Sequence, residues 1–166
     1  SDITALTLDM SEAGRAIFNA GVALGGTGAA NTLDDYEEGT WTVGFKFSNQ
    51  DFNGSYGART GLYTKIGRQV NVSFQLVIAN KGSNTSGYPM IRGLPFAPVN
   101  VDNGRASGIV GYVSNTSGVD FPILILVEQA QTSFPLRQSQ SGGAANMDSS
   151  NISNSFRMYA TLTYFV

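Results

Sequence analysis

A chain of 166 residues with 42% hydrophobic content is long enough for one domain with a core, plus an appendage. Only 13% of the residues are charged, about half the usual share, and 20 glycines with many Ser, Thr and Asn fill the difference. A net charge of −2 with no cluster of Lys or Arg lacks the electrostatic footprint of nucleic-acid binding. No apolar run is long enough to span a bilayer, and the absence of His and Cys excludes disulfides, Ser-His-Asp and Cys-His catalysis and His-bearing zinc sites.

Ser1-Asp2 opens without a basic or apolar leader, and the start reads as a segment cut from a longer chain. Ile3 to Met10 alternates apolar and polar residues and predicts a strand, Ser11 to Gly14 a turn, and Arg15 to Asn19 a second strand. A short helix from Ser11 to Ala20 is the competing reading. Two short strands cannot bury a core alone, so Leu6, Leu8, Ile17 and Phe18 would be left exposed in a single chain. Gly21 to Ala30 is small-residue sequence. Then Asp34, Asp35, Glu37 and Glu38 place four of the twelve acidic residues within five positions, and this stretch reads as a hinge.

From Thr40 onward, strands recur at sandwich spacing. Thr40 to Phe47 puts Trp41, Val43, Phe45 and Phe47 on one face. Leu62 to Ile66 and Val70 to Ala79 predict a hairpin turning at Gly67-Arg68, with Val70, Val72, Phe74, Leu76 and Ile78 inward. Tyr88 to Leu94 is shorter, and Ala106 to Val113 carries Gly108 and Gly111, signs of bulges or close backbone approach. Phe121 to Gln129 reads as a central strand, Phe134 to Gln138 as a short edge, and Ser155 to Val166 as a long last strand that is central or packed on neighbours. The expected fold is all-β, an antiparallel β-sandwich of jelly-roll type.

Two stretches carry a family resemblance. Leu33-Asp34-Asp35-Tyr36-Glu37-Glu38-Gly39-Thr40-Trp41 resembles the junction of bacteriophage tail-fibre proteins at which a slender stem enters a globular tip. Tyr63-Thr64-Lys65-Ile66-Gly67-Arg68-Gln69-Val70 resembles the first hairpin of those tips. The resemblance covers roughly residues 1 to 80, and the rest is similar only in texture. It implies a β-rich stem segment over 1–32 wound with two other chains, an acidic hinge over 33–40, and a receptor-binding head over 41–166. It further implies a homotrimer at the virion's tail-fibre tip, meeting a host cell-surface polysaccharide or other receptor outside the cell, with no membrane insertion. Trimeric C1q-like heads are a structural analogue, although no Gly-X-Y run is present. The alternative is a non-catalytic cap that trimerises a tail-spike depolymerase whose enzyme domain lies upstream.

An enzyme is not expected. Of the carboxylate pairs that glycosidases use, only Glu128 stands out, at the end of the most apolar strand; the plain alternative is pairing with an arginine such as Arg137. The acidic cluster lacks the spacing of a calcium loop, so solvent or basic partners among Arg59, Lys65 and Arg68 are favoured over metal. Gly25 to Gly28 lacks the Lys of a phosphate loop, and four Asn-x-Ser/Thr sequons fit chance in so hydroxyl-rich a chain. No cofactor is expected. Ser48 to Gly57, Lys81 to Gly87 and Ser139 to Asn154 predict exposed loops. Sugars pair an apolar ring face with a polar rim, so aromatic side chains beside amides and carboxylates suit them. Asn49, Asp51, Phe52, Tyr56, Asn84 and Tyr88 are therefore the candidate glycan contacts, against the reading that Tyr56 and Tyr88 begin strands and face inward.

Overall fold

The computed structural model describes residues 7–9 and 15–166, with side chains from residue 18 onward. Near the start, β1 (Thr7–Asp9) pairs antiparallel with β2 (Arg15–Ile17), and β3 (Val22–Ala23) with β4 (Thr32–Leu33). Leu6 and the turn from Ser11 to Gly14 lie outside the described residues, as do the side chains of Leu8 and Ile17; Phe18 is exposed.

The remaining strands are β5 (Tyr36–Thr42), β6 (Gly44–Phe47), β7 (Gln50–Asp51), β8 (Ser55–Ile66), β9 (Gln69–Asn80) and β10 (Pro89–Arg92). They continue as β11 (Ala106–Thr116), β12 (Ile123–Val127), β13 (Ser133–Gln140), β14 (Gly143–Asn146) and β15 (Ile152–Phe165). All eleven form one antiparallel sheet in the order β5-β8-β9-β15-β11-β12-β13-β10-β6-β7, with β14 added on β13. The first strand on this path runs into the last but one through Val43 alone, so the sheet must curl until its ends meet. Its inner face encloses the core: Val43, Phe45 and Phe47 join Val72, Leu76, Ile91, Phe134, Leu136, Phe156 and Met158, all fully buried. The architecture is all-β, with no α-helix among the described residues and two single-turn 3₁₀ segments. No helix among them is long and apolar enough to cross a membrane.

Alternation explains most of these strands. Along β9, Val70 to Ile78 point inward at every second position while Asn71, Ser73 and Gln75 point out, and Gly67, at φ +54, makes the two-residue turn from β8. β15 alternates from Phe156 to Phe165 and lies between β9 and β11, central as its pattern predicts. In β11 the register shifts between Val110 and Tyr112, making Gly111 a bulge, and a Cβ on Gly108 would come within 2.5 Å of the Thr161 carbonyl.

Three expectations are corrected. Thr40 to Phe47 is two strands, because the chain leaves β8 and pairs with β10 after the corner at Val43. Phe134 to Gln138 is no edge: β13 bonds β12 on one side and both β10 and β14 elsewhere along its length. Ser139 to Asn154 is no open loop. It folds as the β13–β14 hairpin and a 3₁₀ turn whose Asp148 carboxylate accepts from Ser150 N at 2.9 Å. That backbone bond holds the Asp148 carboxyl below its ordinary pKa.

Candidate functional site

Two of the three predicted loops fold against one another. Asn53 joins them: its Nδ2 donates to Ser83 Oγ at 3.0 Å, and its Oδ1 accepts from Ser83 N at 3.1 Å and Asn84 N at 2.9 Å. Asn84 Nδ2 donates to the Asp51 carbonyl at 3.1 Å, Gln50 Oε1 accepts from Ser86 N at 2.9 Å, and Ser48 Oγ accepts from Tyr88 N at 3.2 Å. Within the predicted loop Ser48 to Gly57, Gln50–Asp51 pairs with β6 and Ser55 opens β8, and amides spending their groups on backbone tie the second loop to it. Asn49 stays exposed at the tip, and the Asp51 carboxylate pairs with Arg92 at 3.2 Å.

Beneath the loops lies a ladder of rings. Phe52 meets Phe45 edge-on at 5.3 Å and lies tilted against Tyr56 at 4.8 Å, and Tyr56 Oη accepts from Phe45 N at 3.1 Å. Phe52, Tyr56 and Tyr88 are half-buried, so each ring serves partly as support. Five of the six candidates, Asn49, Asp51, Phe52, Asn84 and Tyr88, thus come from the joined loops, and Tyr56 lies under them at the start of β8. The third predicted loop reaches the cluster through Lys81, whose Nζ donates to the Ile152 carbonyl at 3.1 Å and whose N donates to Asn154 Oδ1 at 2.9 Å.

The acidic stretch is placed as strand from Tyr36 onward. Asp35 pairs with Lys65, Glu37 accepts from the Tyr63 hydroxyl, and Glu38 accepts from the Tyr36 hydroxyl at 2.8 Å. These hydrogen bonds raise both tyrosine pKa values. Among the described residues no group of acids is arranged to hold a metal ion. Glu128 is ion-paired as the plain reading expects, but with Arg105 rather than Arg137.

A second feature escaped the sequence reading. The outer face of β8, β9, β15 and β11 carries two cross-strand rows, Leu62-Ser73-Thr161-Ile109 and Thr60-Gln75-Tyr159-Tyr112. Leu62 is 61% exposed and Ile109 72%, around a shallow depression of about 520 Å³. No charge lies in either row, and Gln75 Nε2 donates to Tyr159 Oη at 2.8 Å. Alternation along β9 puts Ser73 and Gln75 outward, but it carries no sign that rows from four strands would be uncharged together.

No protein-family model matches the chain, and no curated protein matches it. Among solved structures, the crystal structure of the Dettilon tailspike protein (gp208) matches 82% of this chain with a TM-score of 0.63 at 15% identity. The match takes in 25% of the tailspike chain, so this chain spans about a quarter of that protein's length. What the two share is a fold built on β-strands.

Proposed function

We propose that this chain is the receptor-binding tip of a phage tail fibre, which trimerises and holds host cell-surface glycan or another receptor during adsorption. The observation that carries the reading is the fold shared with a phage tailspike, joined to an exposed loop cluster of amides and a carboxylate over half-buried rings. A core enclosed by opposed stretches of one curled sheet supports the finer description as a jelly-roll-type sandwich over 41–166, following a stem over 1–32 and an acidic hinge. The partner on the outer sheet face is a further copy of this chain. Exposed Leu62 and Ile109 gain from leaving water, the rows carry no charge to desolvate, and one hydrogen bond already joins Gln75 Nε2 to Tyr159 Oη. Such a tip needs no chemistry of its own and belongs on the virion, outside the cell.

A second reading, the non-catalytic trimerising cap of a tail spike, is favoured by the neighbour being a tailspike matched over one quarter of its length. The two readings separate by partner. Asn49→Ala with Asp51→Ala changes exposed groups only, so a receptor-binding tip should lose cell adsorption with its melting temperature nearly unchanged. Unimpaired adsorption would leave the cap. Sedimentation equilibrium should give about three times 17.6 kDa, falling to one with Leu62→Arg and Ile109→Arg. A monomeric parent chain sinks the assembly.

A further inference from the structure

The seam at Val43 leaves a gap in the ladder. β5 covers β8 only as far as the Thr42–Thr60 pair, so Ser55 to Arg59 run on without β5 beside them. β6 starts its own pairing with β10 on the far side of the corner. Between the two lies a depression of about 380 Å³, lined among others by Lys46, Tyr56, Arg59, Arg92, Thr132 and Ser133. Three of the chain's 10 basic residues therefore converge from three strands in an acidic protein, with one carboxylate, that of Asp51, at hand.

Two of the cations are held in place. The Arg59 guanidinium lies 4.7 Å above the centre of the Tyr56 ring, and that ring is anchored through its hydroxyl to Phe45. The Arg92 stem crosses Gly44, where a Cβ would come within 2.5 Å of its Cγ, and its head is steadied by Asp51. Neither Lys46 nor Arg59 is ion-paired among the described residues. Three cations in one concavity repel one another, and an anion placed among them removes that repulsion while accepting charge-assisted hydrogen bonds. Thr132 and Ser133 add hydroxyls, and a planar guanidinium fork fits a carboxylate or phosphate two bonds at a time.

We infer that this pocket binds the anionic group, carboxylate or phosphate, of an acidic sugar in the receptor. The inference rests on the glycan reading and narrows it, since the pocket adjoins the loop cluster through Tyr56 and through the Asp51–Arg92 pair. Holding charged side chains in advance lowers the ordering cost of each contact, although a single sugar still binds weakly.

The test is saturation-transfer NMR on the whole chain with three probes: a glucuronate-containing disaccharide, glucose 6-phosphate and neutral maltose. At least one acidic sugar should bind, more weakly as salt is raised, and which one binds separates carboxylate from phosphate. Lys46→Gln with Arg59→Gln should weaken that binding at least about tenfold, by loss of bonds to charged groups. Arg68→Gln, which removes one positive charge at the β8–β9 turn outside the pocket, should leave it within about twofold. Maltose binding as tightly as the acidic sugars, neither acidic sugar binding, or Arg68→Gln matching the double change would each overturn the inference. Asn49→Ala distinguishes the layers. Binding that survives it but is lost in the double variant keeps the pocket and removes the loops as a sugar site; the opposite pattern keeps the loops and removes the pocket.

Discussion

Gly61 offers the sharpest test of the packing. It sits in β8 between Trp41 of β5 and Phe74 of β9, and a Cβ built there would fall 2.1 Å from the Trp41 Nε1 and 2.4 Å from Cε2. The indole cannot simply swing aside. It is 8% exposed and meets Phe74 edge-on at 5.5 Å, so the glycine is the slot that receives it. Alanine elsewhere in a strand would gain about 0.5–1 kcal/mol over glycine, so the sign of the effect is itself diagnostic. Overpacking here should instead cost about 1–3 kcal/mol. For a chain of this size that is roughly 2–12 °C in melting temperature. Trp41 is the only tryptophan, so Gly61→Ala should also shift the native emission to the red as the ring is pushed toward water. Urea unfolding at fixed protein concentration, read by circular dichroism, should show a lower midpoint at unchanged slope. Adding Trp41→Phe shortens the ring that clashes, and the two changes should couple by at least about 1 kcal/mol. A Gly61→Ala protein within about 0.5 kcal/mol of the parent, with unshifted emission, would refute the reasoning.

Other consequences are as direct. Tyr164, 2% exposed, donates to the Phe96 carbonyl at 3.0 Å, and burial pushes its pKa up to about 12 from 10.0. A raised folded value means its contribution is full below pH 10 and lost as the pH climbs towards about 12. Over that window the parent's urea midpoint should fall further than that of Tyr164→Phe, by on the order of 2 kcal/mol in stability; parallel profiles would contradict the burial. Asn151 is buried, and its amide donates to the Ser117 and Gly118 carbonyls at 2.7 and 3.0 Å, so Asn151→Ala should cost about 1–3 kcal/mol by denaturant titration. Deleting Leu162 to Val166 removes the end of β15, paired with β9 as far as Phe165 and with β11 at Leu162, including buried Leu162 and Tyr164, at about 1.5–3 kcal/mol for each such side chain. The product should lack the parent's β circular-dichroism spectrum, and a well-folded one would mean the strand end is peripheral.

The parts of the fold that could be read in advance are those where pairing partner and chain order coincide. β8 and β9 are neighbours in sequence, joined at Gly67, so alternation gave face and partner together. Trp41, Val43, Phe45 and Phe47 show the limit, because an inward period of two passes unbroken through a corner while the partner strand changes. Periodicity reports the face and is silent about the neighbour. β14 was missed because Gly143-Ala144-Ala145-Asn146 has the composition of a loop and is held by pairing with β13. The candidate contacts follow from side-chain chemistry within single loops, whereas the role of Asn53, which ties the two loops together, exists only once they meet. Lys46, Arg59 and Arg92 lay further out of reach, since only the closing of the sheet brings them to one depression.

The place of β15 also bears on how the molecule is made. The β8–β9 hairpin has a two-residue turn and can form as soon as both strands exist, a microsecond event in isolated hairpins. The other side of β9 must wait for Phe156 to Phe165, some eighty residues later, to pair with Ile78 to Gln69. Until then a twelve-residue edge stands open, with Val70, Val72, Phe74, Leu76 and Ile78 along one side, and an open apolar edge of that length is a template for any other extended chain. Contacts this distant in sequence close slowly. Yield during synthesis should therefore depend on how long that edge is left waiting, and slowing the ribosome between β9 and β15 should send more of the chain to aggregates, whereas the finished molecule, with β9 paired on both sides, no longer offers that template.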